Sequence, residues 1–380
     1  MKNYNRILAY VFIIIIFGFF ISTIIMPNKT FSDLENRTLS QIPKFSIDSL
    51  LDGRFTSKFE SYFNDQFPLR DNLVTLKTSI DSLLGKSENN GVYIGKDNNL
   101  YEQIKKPIPD STNANIQAVN TFAEKYKDIK TTFMLVPNAA TVYPDMLPDN
   151  APSNDGLKYI NDIKGELTDK LNFINPYDNL YSHRDEYIYY RTDHHWTTLG
   201  AYYGYQSYCE ADNIKAKTLD DYDKNLISSN FYGTLFSRTL YKKTPADQIN
   251  IYTPKDNTDQ AVVNFVSEKQ KTASLYSNDA LDIRDKYSVF LGGNHPLVKI
   301  DTTAKLDKER KLLIIKDSYA NSFVPFLTSN FSEITLVDPR YYYDDIDKLI
   351  ADDKYTDVLF LYNANTFFED NSLSSVLNNN

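Results

Sequence analysis

The longest apolar run in the chain comes at its start. Ile7 to Met26 reads ILAYVFIIIIFGFFISTIIM, without a single charge. At about 1.5 Å per residue this run spans about 30 Å, one hydrocarbon thickness. Lys2 and Arg6 precede it, and Asp33 and Glu35 follow. That asymmetry places the N-terminus inside and the remainder outside. Pro27, Asn28 and Lys29 offer no small-x-small cleavage site, so an uncleaved signal anchor is expected rather than a removed signal peptide. Phe55, Phe59, Tyr62 and Phe63 then recur at helical spacing. Phe67-Pro68-Leu69-Arg70 breaks that helix, and Leu73, Leu76 and Ile80 begin another. The expected organisation is a cytoplasmic tail over 1–6, a transmembrane signal anchor over 7–26, a helical stalk over 27–85 and a main domain over 86–380.

Within the main domain, Val92-Tyr93-Ile94-Gly95 and Leu100-Tyr101 predict a hairpin. A helix is expected around 112–127, a buried strand over Thr131 to Val136, a helix over 155–171 and a short strand near Phe173-Ile174. The C-terminal third alternates: strand Lys311 to Lys316, helix Tyr319 to Asn330, strand Ile334 to Val337, helix 342–352, strand Val358 to Tyr362. Strands alternating with helices imply crossovers and a parallel sheet flanked by helices, an α/β fold. Residues 240–290 are charged and weakly patterned, and are expected to form an insertion that covers the site.

Composition narrows the partners. The net charge is −9 and no basic tract stands out, so nucleic acid is not expected as a partner. Cys209 is the single cysteine and cannot form an internal disulfide. The 29 tyrosines fit carbohydrate stacking, but codon bias toward Tyr, Asn, Ile and Lys explains most of them as well.

Two segments carry candidate chemistry. In Thr192-Asp193-His194-His195-Trp196-Thr197-Thr198, two of the four histidines lie beside an aspartate and the only tryptophan. Thr197 or Thr198 caps a following helix. If the segment is extended, residues two apart share a face, so Asp193 orients His195 while His194 points elsewhere. In Ile314-Ile315-Lys316-Asp317-Ser318-Tyr319, a buried strand ends in Asp-Ser and a helix begins. Ser318 then lies at the carboxyl end of a parallel strand, where α/β sites form, beside a helix N-terminus suited to an oxyanion. A junction serine is more often a mere cap; a neighbouring base such as His195 is what would make it a nucleophile. The triad expected is Ser318, His195 and Asp193.

Further candidates are Gly293 and Asn294 as oxyanion donors or part of a plain turn, Arg340 as a sugar ligand or a surface ion pair, and Tyr319 as pocket lining or packing. His183, His194, His195, His295 and Asp193 are conceivable metal ligands, but their spacing lacks a His-x-x-x-His or Cys-x-x-Cys pattern. No metal site and no cofactor are expected.

Asp-His-His-Trp followed by Thr-x-x-Gly-Ala, then Lys-Asp-Ser-Tyr-Ala-Asn-Ser after a strand, resembles the DHHW family. Supporting stretches are Glu35-Asn36-Arg37, Asp65-Gln66-Phe67-Pro68-Leu69-Arg70, Tyr143-Pro144-Asp145, Gly292-Gly293-Asn294-His295-Pro296 and Asp338-Pro339-Arg340-Tyr341. The family is similar to the alginate O-acetylation proteins J and X and is SGNH-hydrolase-like, with the Asp-His pair ahead of the serine. The resemblance implies an SGNH-hydrolase-like domain and O-acyl, chiefly O-acetyl, transfer through the triad onto a cell-surface or secreted polysaccharide. It also implies a membrane-bound O-acyltransferase as a candidate acetyl donor. The protein X type carries a C-terminal carbohydrate-binding module for which this length leaves no room, so a glycan is implied, but not alginate itself. The expected location is a single-pass cell-membrane protein with its catalytic domain outside. Two rivals remain: an acetylesterase using the same triad, and a non-catalytic surface glycan-binding protein.

Overall fold

The computed structural model describes residues 2–152, 155–255 and 260–378. Met1 of the expected tail, 256–259 of the expected insertion and the last two residues of the expected domain lie outside the described residues. The chain divides into two compact units: residues 1–89 with 236–243, and residues 90–235 with 244–380.

In the first unit a helix runs over Lys2–Ile25. Its Tyr4–Ile25 stretch has a mean hydropathy of 2.7, long and apolar enough to cross a membrane. Helices Arg54–Asp65 and Arg70–Leu83 follow, separated at Pro68, which cannot donate a helical hydrogen bond, and at Leu69, whose φ is 58°. Phe55 and Phe59 stack on one helix face with centroids 5.9 Å apart. Arg70 reaches Glu35 with both terminal nitrogens, at 2.6 and 3.0 Å, and Arg37 bridges Glu35 and Asp65. The Arg37 guanidinium holds the Asp65 carboxyl well below the usual carboxylate range.

The second unit is built on one eight-stranded sheet. Its strands are β1 (Lys130–Val136), β2 (Asn172–Ile174), β3 (Ala261–Phe265), β4 (Gln270–Thr272), β5 (Leu297–Thr302), β6 (Lys311–Lys316), β7 (Glu333–Val337) and β8 (Asp357–Asn363). The spatial order is β4-β3-β5-β7-β6-β8-β1-β2. From β7 to β2 the strands are parallel; β5, β3 and β4 add an antiparallel edge. Residues 240–290 are therefore only partly the insertion expected, because β3 and β4 extend the sheet itself.

Alternate side chains feed two cores. Met134, Ile314, Leu336 and Leu359 pack with Tyr202, Tyr205 and Tyr208 of helix Thr198–Asp212. Phe133, Leu313, Ile315 and Phe360 pack with Ile116, Val119 and Phe122 of helix Pro109–Lys125. Strands covered on both faces are apolar along most of their length, which is why Leu312 to Ile315 reads as a continuous run. Cys209 lies in the first core, and burial pushes its thiol up to about 12. The helix expected over Tyr319 to Asn330 is instead one α-turn, Ala320–Phe323, continued by a 3-10 segment, Val324–Ser329. Pro325 lacks the N–H that an α-helix would need there.

Candidate active site

Ser318 follows β6 in a tight turn. Asp317 pins that turn: Oδ1 accepts the Tyr319 N–H at 2.9 Å and Oδ2 the Asn363 N–H at 2.8 Å, at the end of β8. Burial raises the Asp317 pKa, opposed by the charge of Arg340. Ser318 is half-buried among buried neighbours, and its own N–H meets no acceptor among the described residues.

The other half of the site comes from residues 187–196. Tyr189 and Trp196 form an antiparallel bridge, and the chain between them bends. Buried Asp247 holds the bend, accepting the Arg191 and Thr192 N–H groups at 2.8 Å each and the hydroxyls of Thr192 and Tyr187. The Trp196 indole N–H donates to the Tyr319 carbonyl at 3.0 Å, tying this segment to the serine turn. Gly204 makes room for that indole, since a Cβ there would sit 2.7 Å from the ring.

These constraints bring the three sequence-predicted residues together. His195 Nε2 lies 2.7 Å from Ser318 Oγ, and His195 Nδ1 lies 2.6 Å from Asp193 Oδ1. A carboxylate only accepts, so the proton sits on Nδ1 and Nε2 accepts from the serine hydroxyl. Asp193 also accepts the His195 N–H, the Thr234 N–H and the Thr234 hydroxyl. Gly233 lies so close that a Cβ would fall 2.3 Å from the carboxylate. Tyr287 stacks flat on the imidazole, centroids 3.8 Å apart and planes 7° from parallel, and its hydroxyl donates to the Ser318 carbonyl at 3.1 Å.

Burial pushes the His195 imidazole down from 6.5 to about 4; His194 pushes the same way and Asp193 opposes. Burial alone would raise Asp193, but His194 and His195 hold it far below the usual range. At neutral pH the pair is therefore a neutral imidazole on an ionised carboxylate, the state a general base needs. The unfolded histidine binds its proton near 6.5 and the folded one only near 4, so acidification across that interval favours unfolding.

His194 does not point elsewhere. The segment bends instead of running extended, and the two imidazole centroids are 3.9 Å apart, with His194 Nδ1 at 2.7 Å from Thr234 Oγ1. Asp193, His194 and His195 each offer a ligand atom within 4.8 Å of the others. The four contacts on Asp193 already fill its acceptor positions, so a metal there would have to displace the hydrogen bonds that build the site. His183 stacks on Tyr203 and His295 bonds Glu268, and neither contacts this group.

The helper candidates divide. The Gly293 N–H is committed to the Phe290 carbonyl at 3.2 Å, so it is not turned toward an oxyanion. Asn294 is exposed, with its Oδ1 occupied by Lys316 and Asn321. The Tyr319 hydroxyl donates to the His194 carbonyl while its ring lies 5.1 Å from that of His195. Arg340 grips buried Asp338 with Nε at 2.8 Å and Nη2 at 2.6 Å, so its ion pair is not a surface one. Sequence reasoning missed Asp247, Gly233, Thr234, Tyr287, Lys316 and Asn321. Among these, Lys316 and Asn321 lie inside the Lys-Asp-Ser-Tyr-Ala-Asn-Ser motif without having been given a role, and Gly233-Thr234 carried a local signal, a glycine followed by a capping residue.

The sequence pattern described as DHHW protein matches residues 35–99 and 91–337. A DHHW family protein from Eubacterium siraeum is 30% identical, with 77% of this chain and 96% of that one superposed at a TM-score of 0.67. Bacillus cereus PatB1 with a sulfonyl adduct is 20% identical over 74% of this chain and 97% of its own, at a TM-score of 0.63, a likeness of fold. The "Probable alginate O-acetylase AlgJ" of Pseudomonas syringae pv. tomato is 27% identical over 176 residues, 43% of this chain. The match covers 44% of that relative, less than half its length.

Proposed function

The chain belongs to the DHHW family, and on that premise we propose that it is a membrane-anchored O-acetyltransferase acting on an exported polysaccharide or cell-wall glycan. The observation that carries the reading is the 2.7 Å contact of His195 Nε2 with Ser318 Oγ, backed by Asp193. Ser318 Oγ attacks the acetyl carbonyl as its proton passes to His195 Nε2, and the imidazolium is stabilised by Asp193. The Ser318 N–H and the Asn294 amide stabilise the oxyanion. The leaving alcohol takes the proton from His195, leaving acetyl-Ser318. A glycan hydroxyl then repeats the sequence in reverse, giving its proton to His195 and regenerating the serine. The name of the Pseudomonas relative, an O-acetylase, favours a sugar acceptor over water. The apolar Lys2–Ile25 helix serves as the anchor, and a membrane-bound O-acyltransferase is the fitting acetyl source.

Expressed whole, the protein is expected in the membrane fraction with its N-terminus retained. There it should move acetyl from p-nitrophenyl acetate to glycan oligosaccharides, with or without a chelator. Release of free acetate with no acetylated sugar for any glycan would replace the transferase reading by the esterase one.

His194 gives a separate expectation. Burial is the main cause of the low His195 pKa and His194 adds to it, so His194→Ala should move the acid limb of kcat/KM upward from near 4. The plateau rate should fall only several-fold, roughly, because His194 does not hold the serine proton. A pH profile with an unmoved acid limb would contradict this.

A further inference from the structure

We infer that Lys316 is a positioning residue: working through Asn294 and Asn321, it fixes which face the Asn294 amide presents to the acyl carbonyl. The inference rests on the triad reading above.

Lys316 ends β6 two residues before Ser318 and is 2% exposed. An ammonium has three donors and no acceptor. All three are used: Asn321 Oδ1 at 2.8 Å, Asn294 Oδ1 at 3.2 Å and Asp338 Oδ2 at 3.3 Å. Asp338 already holds Arg340 through both of its oxygens. Two cations thus share one carboxylate by direct contact, in a buried charge cluster that also includes Asp317 beside the serine turn. Such an arrangement is a poor way to stabilise a fold, since an apolar side chain of the same length would avoid the desolvation.

A group that only donates determines how its amide partners are turned. Asn321 must aim its oxygen at Lys316, which sends its Nδ2 to the Gly293 carbonyl at 3.2 Å and to Asn294 Oδ1 at 3.1 Å. Asn294 Oδ1 therefore receives two donors. Asn294 is an exposed residue, and its Nδ2 meets no acceptor among the described residues. The loop that carries Asn294 needs such holding. Leu291, Gly292 and Gly293 have φ values of 61°, 73° and 105°, three left-handed residues in succession. The two glycines adopt this backbone freely, but at Leu291 it is strained and persists only where the surroundings over-determine it. Without Lys316 the Asn294 amide can turn over and offer its oxygen, which repels an oxyanion.

The test is a double-mutant cycle on the full-length protein with p-nitrophenyl acetate. Asn294→Ala, on an exposed loop residue, should lower kcat about 100-fold with KM nearly unchanged, the effect of losing one oxyanion donor. Lys316→Met should lower kcat by a similar factor, whereas Lys316→Arg, which keeps the donors, should retain most of it. The double variant Lys316→Met/Asn294→Ala should be no slower than Asn294→Ala alone. Undiminished kcat in Asn294→Ala, or losses that multiply in the double variant, would overturn the inference. If Lys316→Met does not fold, Asn321→Ala cuts the same link and must show the same non-additivity. Ser318→Ala separates the two levels. If it is inactive while the losses multiply, only the role of Lys316 falls; if it is active, the triad reading falls too.

Discussion

Ser318→Ala is expected to cut acetyl transfer and acetate release by at least about 10⁴-fold while leaving the melting transition in place. The stability half follows from the contacts. Among the described residues Ser318 Oγ bonds only His195, and the following helical turn has no side-chain cap to lose. His195→Ala should be as damaging, because the hydroxyl then loses the base that it bonds. Asp193→Asn should cost roughly 10⁴-fold, the loss that the same change causes in a serine protease, because an amide can donate to Nδ1 and select the wrong tautomer. A fluorophosphonate should label Ser318 in the native protein, and labelling should weaken in the His195 variant. Should Ser318→Ala keep full activity, the enzyme reading is finished and the glycan-binding alternative takes its place.

Gly233→Ala is expected to lower kcat about 100-fold in a protein that still folds, the order of loss caused by misplacing a catalytic group by about 1 Å. The added Cβ would fall 2.3 Å from both Asp193 Cβ and Oδ2, closer than real atoms approach. The carboxylate cannot yield freely, because it also holds His195 and Thr234. Displacing it turns the imidazole that it orients, so KM should change little. Steady-state kinetics beside a thermal melt decide the matter: wild-type kcat in a folded variant would mean that Asp193 tolerates displacement and does not orient the base.

What could be seen in the sequence followed burial. β1, β6, β7 and β8 are covered on both faces, so each announces itself as an apolar run, and the Ser318 junction with them. Asp193 and His195 stood out because rare residues cluster there. The antiparallel edge did not stand out, since strands such as Leu297–Thr302 mix Lys299 and Asp301 with apolar residues. Tyr287 is one of 29 tyrosines, and no pattern separates the ring that lies on His195 from the rest. Asp247 organises the histidine bend from more than fifty residues away, a contact that only the folded chain makes. The two-residue periodicity applied to Asp193–His195 named two side chains that do meet, but not for the reason given: the segment bends, which is why His194 stays against its neighbour.

The lone thiol has a practical consequence. Cys209 is 1% exposed, on the helix that begins just after the Asp193–Trp196 segment, and its pKa near 12 leaves almost no thiolate at neutral pH. A cysteine reagent can reach it only when the core opens. The rate of labelling in excess reagent is thus a clock for opening, read in native buffer without denaturant and without an engineered probe. Bound ligand should slow that clock by the factor with which it favours the closed form. The native thiol thereby offers a way to screen glycans and acyl donors for binding before any turnover assay exists.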